Sequence, residues 1–337
     1  MDWLASLRIR SALRVRLETR GGPVVIGALA VAFALLGGTS PAFARAGQVR
    51  EFPVSPPGTG PLGIAEGSDG ALWFTEVGVA SIGRFGAGGF TYFPLPGGER
   101  YASDIVAGPD GALWFTEPDV AEIGRIGTDG KVTDVPIPPC GCGPYGQGTS
   151  SITAGPDGAL WYARFPTNVI GRVTTSGAVT EFLVGPDGYG PSWITSGPDG
   201  ALWFTNEDGV DRMTTGGVVT HFRTPFTYPS AITTGPDGNL WVTFPYSDVV
   251  ARVTTGGKMK FFSLDLNCSP QQIASGTGAL WVTCYYLGEV ERVSTSGTVT
   301  RVDVPSGATA YGITQGPGSA MWFTEDGANR LGRISTR

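Results

Sequence analysis

The sequence is poor in histidine, cysteine and basic residues: its 337 residues contain one His, four Cys, and 23 Lys and Arg against 29 Asp and Glu. The single histidine, His221, lies in the alternating segment Val219-Thr220-His221-Phe222. That pattern is typical of a half-exposed outer strand, so we interpret His221 as a strand residue and not as a catalytic one. The shortage of basic residues argues against nucleic-acid binding.

The sequence also lacks an apolar run that spans a bilayer comfortably. The run Val24–Leu36 has 13 residues, fewer than the roughly 20 that a membrane-spanning helix needs. Five arginines precede it, and Ala42-Phe43-Ala44 follows it as a small-x-small cleavage signature. We predict a secretory signal peptide over residues 1–44, cleaved after Ala44 or after Ala46; an uncleaved N-terminal anchor is the alternative. Removal of its five Arg and two acidic residues leaves 18 basic and 27 acidic residues, a net charge of −9. We expect a secreted, acidic protein with no nucleic-acid partner and no membrane attachment after cleavage.

What the sequence does contain is a repeat of about 40 residues, clearest in Gly108–Glu117 (GPDGALWFTE). Seven tryptophans mark it, at successive separations of 41, 47, 42, 38, 40 and 41 residues. They are Trp73, Trp114, Trp161, Trp203, Trp241, Trp281 and Trp322. Short β-rich segments recurring at this period predict the blades of a propeller.

One repeat, residues 103–137, predicts a four-stranded antiparallel meander. Pro109-Asp110-Gly111 and Thr128-Asp129-Gly130 are turn signals between apolar and alternating segments. Strands that are apolar on both faces, such as Ala112–Thr116, are buried on both faces and belong near the centre. Alternating segments, such as Val179-Thr180-Glu181-Phe182, belong at the outside, where one face meets water.

The two ends of the repeat array predict how the ring closes. Residues 48–54 look like a fourth, outermost strand with no blade before it, and Leu331–Ser335 looks like a third strand with no fourth strand after it. Pairing them completes the last blade and removes the exposed sheet edges. We therefore predict an all-β, seven-bladed propeller of four-stranded antiparallel blades over residues 45–337. The predicted outermost strands are 48–54, 89–95, 131–137, 178–184, 218–224, 258–264 and 298–304.

The four cysteines all lie after the predicted signal peptide. Cys268 lies in a loop between blades and Cys284 ends the second strand of the following blade, which places both on one rim of a propeller. An exported protein permits disulfides, so we expect the pairs Cys268–Cys284 and Cys140–Cys142. Metal binding by Cys140 and Cys142 is the alternative, but the other ligands of a zinc site are missing.

The segments GPDGALWFTE (108–117), IGRI (123–126) and VTEF (179–182) resemble the repeat of the streptogramin B lyase family, also called virginiamycin B lyases. The resemblance extends over all seven repeats. It implies a seven-bladed propeller and a carbon–oxygen lyase. Such an enzyme opens a cyclic depsipeptide antibiotic by elimination across its ester bond, with Mg²⁺ and without an attacking water, and so gives antibiotic resistance. Elimination of this kind needs a base for the α-proton and a cation for the developing charge.

The resemblance also implies site residues. The family's tyrosine context matches Ala310-Tyr311-Gly312-Ile313-Thr314 and its glutamate matches Glu325, which predicts Tyr311 and Glu325 as catalytic residues. The histidine contexts of the family correspond to Pro229-Ser230 and Pro270-Gln271, so the family's catalytic histidines are missing. The predicted substrate-binding residues are Ser230, Gln271, Arg164 and Trp193.

Three glutamates end the second strands of blades 7, 1 and 2, which are neighbours once the ring closes. With Asp104 and Glu66 nearby, they predict an acidic sector of hard oxygen ligands suited to Mg²⁺ or Ca²⁺. The predicted metal ligands are Glu76, Glu117 and Glu325. The alternative is that these glutamates are solvated ends of a duplicated repeat unit. Aromatic residues in or beside the loops between blades suit either a binding surface or loop packing; they are Tyr101, Tyr145, Tyr189, Trp193 and Tyr228.

Three functions remain open from the sequence. The first is a lyase with an altered catalytic set, using Tyr311 as base and a metal on the acidic sector. The second is a non-catalytic secreted propeller whose central rim holds a cyclic peptide, another small ligand or a protein. The third is a metal-dependent lactonase or esterase, which the seven blades and the missing histidine disfavour. The missing base favours the second function over the first, whereas the family resemblance favours the first.

Overall fold

The computed structural model describes residues 47–55, 59–98, 100–139, 148–185 and 190–336. The predicted signal peptide, Cys140, Cys142, Tyr145 and Tyr189 lie outside these ranges. Within them, no helix is long and apolar enough to cross a membrane.

The described chain forms 28 strands, arranged as seven sheets of four. In chain order they are β1 (Val49–Pro53); β2 (Pro61–Glu66), β3 (Leu72–Glu76), β4 (Ser81–Gly86) and β5 (Gly89–Pro94) of blade 1; β6 (Ile105–Ala107), β7 (Leu113–Glu117), β8 (Glu122–Ile126) and β9 (Val132–Pro136) of blade 2; β10 (Thr149–Ala154), β11 (Leu160–Arg164), β12 (Val169–Val173) and β13 (Val179–Leu183) of blade 3; β14 (Ile194–Ser196), β15 (Leu202–Asn206), β16 (Gly209–Met213) and β17 (Val219–Arg223) of blade 4; β18 (Ile232–Thr234), β19 (Leu240–Phe244), β20 (Val249–Val253) and β21 (Met259–Ser263) of blade 5; β22 (Pro270–Gly276), β23 (Ala279–Cys284), β24 (Glu289–Ser294) and β25 (Val299–Asp303) of blade 6; and β26 (Ile313–Gln315), β27 (Met321–Glu325) and β28 (Arg330–Ile334) of blade 7. A 3-10 turn, Pro317–Ser319, joins β26 to β27.

The seven-bladed propeller and its closure are confirmed. Each blade is an antiparallel meander, and the last sheet has the order β1-β28-β27-β26. β1 pairs with β28 from Val49 opposite Ile334 to Pro53 opposite Arg330. The innermost strands contact one another around the ring, including β26 with β2. Strand β28 of blade 7 is therefore paired on both of its edges.

The repeat signature is explained by one set of contacts. In blade 2 the turn residue Asp110 accepts a hydrogen bond from Trp114 Nε1 at 3.0 Å. It also forms an ion pair with Arg125 at 2.8 Å. Arg125 in turn lies over the Trp114 ring, 5.8 Å from its centroid. This arrangement satisfies the indole N–H of a fully buried tryptophan. The Trp–Asp hydrogen bond and the Arg–Asp ion pair also occur in blades 1, 3, 4 and 5.

Two glycines of the signature have specific steric roles. Gly111 has φ +78°, a left-handed conformation that the tight turn requires. Gly124, in Ile-Gly-Arg-Ile, packs against the ring of Phe115, and a Cβ at this position would lie 2.0 Å from the ring. The small residue thus lets the second and third strands hold a large aromatic side chain between blades.

A ring of threonines ties neighbouring blades together near the axis. Each accepts a hydrogen bond from a backbone N–H in, or directly before, its own blade's first strand, at 2.8–3.2 Å. Five of the six also donate to a carbonyl in, or shortly before, the next blade's first strand, at 2.7–3.3 Å. The six are Thr75, Thr116, Thr205, Thr243, Thr283 and Thr324. In blade 3 Ala163 takes this position, and Ser150 Oγ donates to Ser192 O instead, at 2.7 Å.

A loop and a strand of blade 6 are joined covalently. Cys268 and Cys284 form a disulfide, with their Cα atoms 4.4 Å apart, as predicted. Both residues are fully buried. The bond fixes the loop that enters blade 6 to the end of β23, on the face of the ring that carries the loops between blades.

Candidate functional site

The residues that end the second strand of each blade do not face the axis. Glu76, Glu117 and Glu325 are all fully buried, and each finds its partners inside its own blade or in the loop that enters it. Among the described residues, the clusters of three potential metal ligands within 4.8 Å never combine these glutamates. One cation site shared by Glu76, Glu117 and Glu325 is therefore not supported. The solvated alternative is not supported either, because the three side chains are shielded from water.

Glu117 already has a cation of the protein's own. Arg100, from the loop before β6, lies 3.3 Å from Glu117, 2.5 Å from Glu122 and 2.8 Å from Asp134. Burial raises the pKa of Glu117 to about 7, and the Arg100 charge opposes that rise. The guanidinium thus supplies a positive charge to all three carboxylates.

Glu325 and Glu76 accept hydrogen bonds from hydroxyl groups. Ser306 Oγ donates to Glu325 Oε2 at 2.8 Å, and Ser81 Oγ donates to Glu76 Oε2. Burial raises the pKa of Glu325 to about 7, and Glu51 nearby adds to the rise. Through Ser306, Glu325 contacts the loop that enters blade 7, whereas Tyr311 lies among the residues that line the axis.

Arg164 and His221 are similarly engaged in their own blades. Arg164 is buried, and its Nη1 lies 2.6 Å from Glu181 Oε1, which also accepts a hydrogen bond from Tyr162. Arg164 thus forms an ion pair inside blade 3 and is not exposed to a ligand in solution. His221 lies on the outermost strand β17, as predicted, and its Nδ1 is 2.6 Å from Asp211 Oδ1.

The first strands, by contrast, enclose a small cavity on the axis. Its volume is about 50 Å³, room for a few water molecules, whereas pockets for drug-sized ligands hold about 300–1,000 Å³. Blades 1, 2, 4, 6 and 7 contribute to it. Its principal side chains are Leu62, Ser103, Asp104, Trp193, Gln272 and Tyr311.

The structure thus brings together only some of the predicted site residues. Tyr311 and Trp193 line the axial cavity, but Ser230 does not, and Gln272 lines it in place of its neighbour Gln271. The carbonyls of Ser230 and Gln271 accept hydrogen bonds from Thr205 and Thr243 in the threonine ring. Alternation along β22 turns one glutamine toward the cavity, and the sequence pattern did not distinguish the two.

Tyr311 and Asp104 are the titratable residues of the cavity. Burial raises the pKa of Tyr311 to about 12, and the nearby Asp104 carboxylate adds to the rise. The hydroxyl therefore stays protonated at neutral pH and acts as a hydrogen-bond donor, while the phenolate that a general base requires is rare. Burial also raises the pKa of Asp104 to about 6. Its carboxylate accepts backbone hydrogen bonds from Ile105 and Ile152, each at 3.0 Å.

The residues around the axis do not fit a resident Mg²⁺ ion. Mg²⁺ needs near-octahedral oxygen coordination, and Asp104 supplies the one carboxylate among the lining residues. Both of its oxygens already bond backbone amides, and Asp104 belongs to none of the described clusters of potential metal ligands.

Blades 5 and 6 carry four tyrosines in their loops, three of them exposed. We call Tyr228, Tyr246, Tyr285 and Tyr286 the rim tyrosines; they lie in loops that open onto one face of the ring. Tyr246 and Tyr286 are 72% and 73% exposed. Tyr228 contacts Tyr246 edge to face at 6.0 Å, and Tyr285 contacts Tyr286 at 5.1 Å. Sequence reasoning identified Tyr228 but missed the other three. Their signal was a tyrosine in the turn that follows the second strand, where the other blades have none.

Comparison with known proteins agrees with this architecture. The model of the Virginiamycin B lyase family matches residues 42–150 and 147–337. A streptogramin B lyase structure is 28% identical, with a TM-score of 0.80, covering 86% of this chain and 98% of the other. Selenomethionine-substituted virginiamycin B lyase from Staphylococcus aureus is 30% identical, with a TM-score of 0.78, covering 86% and 99%. A catalytically inactive variant of the Staphylococcus aureus enzyme, solved with quinupristin, is 29% identical, with a TM-score of 0.78 and the same coverage. None of the curated proteins matches at a significant level.

Proposed function

Because this chain belongs to the virginiamycin B lyase family, we propose that it is a secreted propeller that binds a cyclic peptide over its axial cavity without opening it. The observation that carries the proposal is the make-up of that cavity. It combines the aromatic groups of Trp193 and Tyr311 with the amide of Gln272, and its one carboxylate already holds two backbone amides. These side chains can bind and orient a ligand. They include no histidine, and both oxygens of the one carboxylate already accept hydrogen bonds.

The size of the cavity decides how a ligand would bind. A volume of about 50 Å³ admits one small group, so the body of a cyclic peptide lies outside, on the rim. The rim tyrosines supply exposed aromatic surface there, which is the kind of surface enriched at binding interfaces. A structure of a related lyase was solved with quinupristin, so a streptogramin B is the first ligand to test.

Secretion is part of this proposal. The Arg-rich start, the 13-residue apolar run and Ala42-Phe43-Ala44 support an export signal. The buried Cys268–Cys284 disulfide supports an oxidising compartment.

The test is titration of the mature chain with quinupristin by calorimetry, followed by chromatography and fragmentation mass spectrometry of the antibiotic. Fragmentation is needed because elimination opens the ring without changing the mass. We expect a bound, intact ring, with affinity at least tenfold weaker in Trp193→Ala and about threefold to tenfold weaker in Tyr311→Phe. Tyr92→Phe, which changes a tyrosine on the outermost strand β5, is the matched control and leaves affinity unchanged. Absence of binding would rule out this ligand class.

Elimination remains a second candidate because Asp104, with its pKa raised to about 6, shares the cavity with Tyr311. In that reaction the Asp104 carboxylate takes the α-proton, a carbon–carbon double bond forms and the ester C–O bond breaks, releasing a carboxylate. Tyr311 donates a hydrogen bond to the developing charge. A linear product of unchanged mass that disappears in Asp104→Asn would replace the binding proposal with this one.

A further inference from the structure

Blade 6 contains a cluster of three carboxylates away from the axial cavity. Glu289 and Glu291 are two residues apart on β24, so they point to the same face of the sheet. Asp265 approaches them from the loop that enters the blade. One carboxylate oxygen from each of the three lies within 4.8 Å of the others.

Two of these carboxylates are buried with oxygens left unpartnered. Glu289 and Glu291 are both fully buried. Glu291 Oε1 accepts a hydrogen bond from Asp265 N at 2.9 Å, but neither Glu291 Oε2 nor Glu289 Oε1 has a hydrogen-bond partner within the described structure. Leaving buried carboxylate oxygens without a partner is costly, and a cation bound between these carboxylates would compensate them.

Arg301 compensates this cluster only at its edge. Its Nε lies 2.5 Å from Glu289 Oε2 and 2.7 Å from Asp303 Oδ1, and its side chain is 45% exposed. The guanidinium therefore lies on the solvent side of Glu289, and no ion pair joins it to Glu291 or Asp265 among the described contacts.

Blade 2 contains a comparable cluster in which one arginine contacts every carboxylate. Glu117, Glu122 and Asp134 also lie within 4.8 Å of one another, and Arg100 forms ion pairs with all three. Arg100 comes from the loop that enters blade 2. The corresponding loop of blade 6, residues 264–270, reads LDLNCSP and contains no basic residue. The chain thus places a cation against all three carboxylates of the blade 2 cluster, but against only Glu289 of the blade 6 cluster.

The ligand chemistry identifies the class of ion. Three carboxylates are hard oxygen donors, which select Ca²⁺ or Mg²⁺ over softer metals. Mg²⁺ demands near-octahedral geometry and usually keeps several waters, whereas Ca²⁺ binds about 6–8 oxygens in a flexible geometry and accepts bidentate carboxylates. Three carboxylates, two of them fully buried, therefore fit Ca²⁺ better.

We propose that Asp265, Glu289 and Glu291 form a divalent-cation site that binds Ca²⁺ in preference to Mg²⁺. The site is held by the disulfide, because Cys268 anchors the Asp265 loop and the potential ligand atoms of Cys268, Cys284 and Glu291 lie within 4.8 Å of one another. The Cys284 end of this disulfide continues directly into Tyr285 and Tyr286. Ca²⁺ therefore tightens the same part of blade 6 that presents two of the rim tyrosines.

The experiment uses the mature chain, stripped with EDTA, dialysed and titrated with CaCl₂ and separately with MgCl₂ at constant ionic strength. Calorimetry is expected to give one Ca²⁺ per chain, with Mg²⁺ at least tenfold weaker. Differential scanning calorimetry is expected to give a Tm that rises by several degrees in saturating Ca²⁺, because an ion that binds only the folded state stabilises it.

Variants locate the ion. Glu291→Gln keeps the shape of the side chain and is expected to weaken Ca²⁺ binding at least tenfold and to remove the Ca²⁺-dependence of Tm. The matched control is Glu122→Gln in the Arg100 cluster, which leaves Ca²⁺ binding unchanged. If Glu291→Gln does not fold, Asp265→Asn, at a partly exposed loop position, serves instead. No Ca²⁺ binding to the wild type, or equal binding in the Glu291 and Asp265 variants, overturns the proposal.

Discussion

Each residue that ends a second strand meets a pocket closed by its own blade, and the composition of that pocket decides its electrostatics. Glu117 meets Arg100, Glu325 meets Ser306, and Arg164 meets Glu181. The same backbone position therefore carries opposite charges in different blades. What is constant is burial, and what varies is the partner that compensates it.

Glu325 gives a prediction at this scale. Its pKa is raised to about 7 in the folded protein from an ordinary value of 4.5, so the folded state holds its proton more tightly than the unfolded state does. Its stability contribution is thus intact below about pH 4.5 and is lost as pH rises to about 7. We expect Glu325→Gln to be more stable than wild type at pH 8, by at most about 3 kcal/mol, since one pKa unit corresponds to about 1.4 kcal/mol.

The measurement is urea unfolding of both proteins between pH 4.5 and pH 8. The gain from Glu325→Gln should shrink as pH falls through this window. Glu66→Gln, at a partly exposed position on β2, is the control for the general effect of removing a negative charge. A gain that stays constant with pH would contradict the proposed cause.

At the scale of the elements, threonine hydroxyls join neighbouring blades. Five of the six bond a backbone N–H of their own blade and a backbone carbonyl of the next. Thr283 Oγ accepts from Gln272 N at 3.1 Å and donates to Tyr311 O at 2.9 Å. One hydroxyl thus satisfies buried backbone groups of two blades, and it also holds the strand that presents Tyr311 to the cavity. A buried backbone group that loses its partner costs free energy, so these hydroxyls are part of the interface between blades.

Thr283→Val tests this element. Valine keeps the volume but leaves the Gln272 N–H and the Tyr311 carbonyl each short of one partner. We expect a loss of about 1–3 kcal/mol in the free energy of unfolding, measured in urea. Thr283→Ser retains the hydroxyl and is expected to lose much less. Equal losses in the two variants would mean that packing of the methyl group, and not the hydrogen bonds, stabilises the interface.

At the scale of the whole molecule, the ring is closed by β1, the first strand of the described residues. β1 covers the edge of β28, and its Phe52 packs at 5.1 Å from Phe85 of blade 1 and 5.3 Å from Trp322 of blade 7. Closure therefore joins the sheet edge and the core between the first and last blades in one contact.

Deletion of residues 47–53 from the mature chain tests this closure. The edge of β28 and the Phe85–Trp322 surface become exposed, so we expect a Tm lower by roughly 10 °C or more and association of the protein through the free edge. Scanning calorimetry and size-exclusion chromatography measure the two effects. A chain that begins at Gly47 is the control. A monomer with unchanged Tm would show that closure contributes little.

The sequence by itself determined the architecture of this protein. The seven tryptophans counted the blades, and the unmatched terminal strands predicted closure, because strand alternation and turn residues are local properties of the chain. The Cys268–Cys284 pair followed from the same frame, since once the strands are placed the two residues fall on one rim.

Only the tertiary structure decided which side chains meet. Glu76, Glu117 and Glu325 were correctly placed at one end of their strands, but a second strand lies behind the first, so its side chains point between blades and not toward the axis. Gln272 rather than Gln271 lines the cavity because neighbouring residues of β22 point to opposite faces of the sheet. The partners Arg100, Ser306 and Asp265 come from loops whose paths no local pattern specifies, and those paths decided which buried charges are compensated.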